Sequence, residues 1–136
     1  MRQLTICVLL AVFAGIAADR DLAGRYAGQW KSTASGNGGA IRFTLDAAAG
    51  GAWKADLMFT LDGADVKTTM REVKLQDGKI ELTYDFNVQG LTARSRVKGA
   101  WNGTAFHGDY ETTLVDGGQM VDGGTWNAQR QSEPRP

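Results

Sequence analysis

The stretch Lys79–Trp101, KIELTYDFNV-QG-LTARSRVKGAW, reads as two β-strands folded back on one another. Ile80, Leu82, Tyr84, Phe86 and Val88 share one face of the first run, and Lys79, Glu81, Thr83, Asp85 and Asn87 share the other. Successive side chains of a strand point to opposite faces, so a period of two is what a half-buried strand requires. Beyond the Gln89-Gly90 turn, Leu91, Ala93, Ser95, Val97, Gly99 and Trp101 face inward while Thr92, Arg94, Arg96 and Lys98 face outward. The outer row of the first run carries acids and that of the second carries bases, so cross-strand ion pairs worth a few tenths of a kcal/mol each are expected.

The same unit extends in both directions. Upstream, Ile41, Phe43 and Leu45 alternate with Arg42, Thr44 and Asp46, and Trp53, Ala55, Leu57, Phe59 and Leu61 alternate with Lys54, Asp56, Met58 and Thr60. Asp62-Gly63 and Asp77-Gly78 are hairpin turns, because both residue types tolerate positive φ. Between them the parity slips: Val66, Thr68 and Met70 share a face, but Val73 and Leu75 fall on the other. A bulge near Arg71-Glu72 returns the apolar set to the core. Downstream, Asn102-Gly103 is read as a type I′ turn, and Phe106, Gly108, Tyr110, Thr112 and Leu114 face inward opposite His107, Asp109 and Glu111. The tetrapeptide Val-Asp-Gly-Gly occurs at 115–118 and again at 121–124, read as a hairpin turn and then a glycine bulge. A first run from Leu22 to Lys31, with Leu22, Tyr26 and Trp30 on one face, completes eight strands.

Eight strands joined by short turns, with no long crossover, close most economically as an antiparallel up-and-down β-barrel, because closure removes exposed edges. The barrel domain is assigned to residues 19–131, and Ser132–Pro136 is read as a disordered tail. Residues 1–18 have the layout of a secretory signal peptide: Arg2, an apolar run from Leu4 to Phe13, and small residues up to Ala18 before Asp19-Arg20-Asp21. That run is too short to span a bilayer, which takes about 20 residues. Cleavage leaves about 118 residues, enough for one domain, and removes Cys7, the single cysteine. The expectation is a secreted or periplasmic protein that does without disulfides and has no membrane span in its mature form. A net charge near −1 after cleavage argues against nucleic acid as a partner.

Gly28-x-Trp30 on the first run, with Arg130 on the last, resembles the calycin superfamily of lipocalins, fatty-acid-binding proteins and avidins. The resemblance implies a barrel closed at one end by the tryptophan, with the arginine packed across it, and a small ligand inside. A guanidinium over an indole would gain about 0.5 to 2 kcal/mol.

An eight-stranded barrel is wide enough either to be filled by its own side chains or to hold one small ligand. Large inward residues (Trp53, Phe59, Tyr84, Phe86, Trp101, Tyr110) alternate with small ones such as Ala55, Ala93, Ser95, Gly99, Gly108 and Ala128, which predicts an apolar pocket lined by those six aromatics. The alternative is a solid core in which small and large residues interlock. Catalysis finds no parts: His107 is a lone outward histidine, no serine or cysteine stands near a matching base, and Asp109 and Glu111 face solvent. Asp116 and Asp122 fall short of the oxygen ligands calcium needs and are read as turn residues, so neither metal nor cofactor is expected. Asn102-Gly103-Thr104 matches a glycosylation sequon at a place where the turn itself needs Asn-Gly. Two functions follow as expectations: a non-enzymatic carrier of a small apolar molecule, or an envelope interaction or inhibitor module that acts through its loops and rim. The protein partner of such a module is left unknown.

Overall fold

The alternating runs become strands in a computed structural model that describes residues 19–132. They are β1 (Gly24–Ser32), β2 (Gly38–Ala47), β3 (Trp53–Leu61), β4 (Ala64–Lys67), β5 (Thr69–Gln76), β6 (Lys79–Val88), β7 (Leu91–Trp101), β8 (Ala105–Leu114) and β9 (Met120–Arg130). A 3-10 turn at Ala49–Gly51 is the only other regular element from Gly24 to Arg130. The segments assigned to the signal peptide and to most of the tail lie outside the described residues.

All ladders are antiparallel, in the order β4-β3-β2-β1-β9-β8-β7-β6-β5. β1 pairs with β9, setting Gly28 opposite Ala128 and Trp30 opposite Trp126. The first and last runs therefore do meet, and the sheet rolls into a nearly closed barrel. The described residues form nine strands rather than eight, because the run from Ala64 to Gln76 breaks at Thr68. Its first part pairs with β3 and its second with β6. The last gap in the ring is thus crossed by the chain itself, and the Thr68 hydroxyl donates to the Leu57 carbonyl at 2.7 Å. The slip in parity is repaired as expected, by a bulge between Met70 and Glu72.

Three turns follow the mirror-image hairpin geometry, with positive φ at both residues of Asp62-Gly63, Asp77-Gly78 and Gln89-Gly90. Asn102-Gly103 does not: Asn102 lacks a positive φ, and its Oδ1 instead accepts from the backbone N–H of Thr104 and of Ala105. An asparagine that can build an Asx turn competes with the two-residue hairpin and here gives a longer loop. In β9 the bulge sits at Val121, between the pairs Thr112–Asp122 and Thr113–Met120, so it precedes the second glycine pair. Asp122 is consequently an inward strand residue and not a turn residue.

One end of the barrel is plugged. Leu22 lies before β1 rather than in it, yet it is buried, and its carbonyl accepts from the Tyr26 hydroxyl at 2.6 Å. The Asp19 carboxylate accepts from the backbone N–H of Asp77 and of Gly78, both at 2.9 Å, which pins the leading segment across that end. Tyr26, Phe43, Leu45, Leu82 and Phe106 fill the half of the barrel above the plug. On the outside, Arg94 makes two hydrogen bonds to Asp85, at 2.7 and 3.1 Å, with Arg71 beside the same carboxylate, and Lys98 reaches Glu81 at 4.0 Å. These are the ion pairs expected between the outer rows of β6 and β7.

Candidate functional site

The other half of the barrel is hollow. A cavity of about 200 Å³ opens toward the end that carries the β1–β2, β3–β4, β6–β7 and β8–β9 connections. Six aromatic residues line it: Trp30, Phe59, Tyr84, Phe86, Tyr110 and Trp126. Perpendicular contacts lock several of these rings, with Trp30 at 88° to both Phe59 and Tyr110, and Phe59 at 81° to Phe86. Offset and edge-on aromatic pairs of this kind are each worth about 0.5–1.5 kcal/mol beyond their burial, so the wall is stiff. Trp30 is held further by its Nε1, which donates to the Thr60 carbonyl at 3.0 Å.

The polar groups of the cavity gather on one wall. Ser95 and Thr112, buried on neighbouring strands, share a hydrogen bond of 2.6 Å, and the Tyr84 phenol stands beside Ser95. Nearer the mouth, the Asp122 carboxylate accepts from Tyr110 Oη at 2.9 Å and from Ser32 Oγ at 2.7 Å. Burial pushes the Tyr84 phenol well above its ordinary value, with Ser95 acting weakly the other way. Tyr110 is raised too, by burial first and then by Asp122, which favours the protonated donor. Both phenols are therefore neutral at physiological pH.

Of the six aromatics expected to line a pocket, Phe59, Tyr84, Phe86 and Tyr110 do so and Trp53 and Trp101 do not. Trp101 stacks edge-on with Tyr26 and Phe106 in the filled half, and Trp53 lies at the far end of β3 beside the 3-10 turn. The expected Trp30–Arg130 packing is also absent. Arg130 pairs in register with Tyr26 and places its guanidinium 6.0 Å from that ring, while donating to the carbonyls of Asp21 and Ala23. Trp30 stands four residues further along β1, about 13 Å away at the usual rise per residue. The arginine thus secures the plug, and the tryptophan lines the cavity.

Gly99 and Gly108 do not leave ligand space either. They face each other across β7 and β8, and a Cβ on Gly99 would lie 2.6 Å from Cζ2 of Trp126. The missing side chain of Gly99 makes room for that indole, whose Nε1 donates to the Lys98 carbonyl at 3.0 Å, and that of Gly108 makes room for the β7 backbone at Lys98 and Gly99. Asp122, Trp126 and Ser32 were not among the expected pocket residues. Counting back by twos from Trp126 puts Asp122 on the inward face, so that signal was present in the sequence, hidden by its turn-like neighbours.

At the mouth, Leu91, Val115, Met120 and Val121 are 53%, 42%, 57% and 49% exposed. Among the described residues no group of three or more His, Cys, Asp or Glu is arranged to hold a metal ion, and no helix is long and apolar enough to cross a membrane. A scan against family models gives no match, and searches of curated proteins and of solved structures give none of significance.

Proposed function

We propose that this protein is an exported, calycin-like carrier that binds a small apolar molecule in the hollow half of its barrel. The observation that carries the reading is the aromatic cavity, open at one end and stiffened by its own ring contacts. An apolar cavity of about 150 Å³ accepts benzene, and drug-sized ligands take about 300 Å³ or more. At about 200 Å³ the occupant is the size of one substituted ring or a short branched chain. Export rests on the layout of residues 1–18, and the calycin kinship on the up-and-down barrel with Trp30 on its first strand. The Arg130 geometry departs from that pattern.

The test is a series of small apolar ligands, from benzene to indole, followed by the rise in melting temperature and by the fluorescence of Trp30 and Trp126. A ligand at a hundred times its Kd stabilises the fold by about 2.7 kcal/mol. Ala93→Leu fills the cavity from a buried lining position. It should abolish the shift while the protein still melts cooperatively. If no member of the series shifts the wild-type melt, the carrier reading fails.

The four exposed apolar residues at the mouth favour a second reading, in which the rim docks a protein partner. Leu91→Lys with Met120→Lys would then abolish capture of that partner and leave small-ligand binding intact.

A further inference from the structure

Resting on that carrier reading, we infer that the preferred occupant is a small organic cation, an apolar body bearing a protonated amine. Among the described residues, Asp122 is the only charged side chain lining the cavity. Each of its oxygens accepts one hydrogen bond from a neutral hydroxyl, Tyr110 to one and Ser32 to the other. A carboxylate offers about four lone-pair sites, so acceptor capacity remains on both oxygens. Among the described residues no lysine, arginine or histidine forms an ion pair with it; the ion pairs of the barrel lie elsewhere, around Asp85, Glu81, Asp65 and Glu72. The negative charge at the cavity wall is held in place by two donors and left without a counterion.

The surrounding rings suit the same charge. Trp30 and Tyr110 stand at right angles, as do Trp30 and Phe59, so ring faces are offered in more than one direction within the cavity that Asp122 also lines. The face of an aromatic ring carries the negative part of its quadrupole and attracts a cation placed over it. An anion would meet the carboxylate and the ring faces with repulsion from both. A neutral alcohol would gain the hydrogen bond but not the charge attraction. Only a cation uses every feature of this wall.

The measurement compares toluene, benzyl alcohol, benzylamine and benzoate at pH 7, which share one ring and differ in charge. Benzylamine should bind about ten-fold more tightly than benzyl alcohol, a difference of about 1.4 kcal/mol. Benzoate should bind more weakly than either. Asp122→Asn should bring the amine down to the alcohol. Added sodium chloride should narrow the gap in the wild type, a readout that does not depend on the variant folding. If toluene and benzyl alcohol bind but benzylamine gains nothing over them, the cation preference is overturned and the carrier reading stands. If none of the four binds, both fall.

Discussion

Trp30 and Arg130 lie on paired strands but four register steps apart, so their energies should be independent. In urea unfolding, Trp30→Ala and Arg130→Ala should add to within about 0.5 kcal/mol, as distant sites do. Tyr26→Leu and Arg130→Ala should couple measurably, because guanidinium and ring are in contact. The chain has three tyrosines, and burial raises the pKa of each, with Arg130 partly opposing the rise at Tyr26. A phenol whose folded pKa exceeds the unfolded value near 10 adds stability that is complete below that value and is lost as pH rises through the folded one. Absorbance at 295 nm should therefore show no tyrosine half-ionised at pH 10, and ionisation should arrive together with alkaline unfolding. Parity in the sequence told which face each aromatic occupies. It could not tell height along the barrel, which is why Trp53 and Trp101 shared a signal with Phe59 and Tyr84 yet stand in or beyond the filled half.

The β6–β7 hairpin carries its ion pairs where cross-strand partners meet, Asp85 with Arg94 and Glu81 with Lys98. The Arg94 hydrogen bonds hold the Asp85 carboxyl below its ordinary value, with Arg71 adding a smaller pull. A depressed folded pKa contributes stability above the unfolded value near 3.9 and loses it as pH falls through the folded value. The urea midpoints of the wild type and of Asp85→Asn should thus differ at pH 6 and converge by pH 2, the difference being small because the pair is partly exposed and screened by solvent. Strand existence, facing and the bulge at Arg71 were legible because each is a local pattern of period two. The break at Thr68 was not: the residues before and after it alternate alike, and the switch of partner from β3 to β6 is decided by how far apart those strands stand. The Asn102 loop is ambiguous in the sequence for a related reason, since Asn-Gly serves both a mirror-image turn and an Asx turn, and the side-chain hydrogen bonds choose between them.

At the scale of the whole molecule, the barrel is divided into a filled half anchored by the Asp19 clamp and Leu22, and a hollow half walled by aromatics. Which half is hollow depends on side-chain volumes summed around the ring at one level, a quantity no single strand records. The ring itself has one line along which β3 and β5 face each other without a ladder, marked outside by a groove lined by Trp53, Ala55, Met70 and Val73. Native-state hydrogen exchange should find the amides of Trp53–Leu57 that point away from β2 exchanging faster than those of β7, which is paired along both edges. A fully laddered cylinder can widen only by breaking backbone hydrogen bonds in series. This one is tied across the gap where the chain itself crosses at Thr68, whose hydroxyl also bonds the Leu57 carbonyl, so β3 and β5 can part like the loose edge of a rolled sheet while every strand keeps the partners it has.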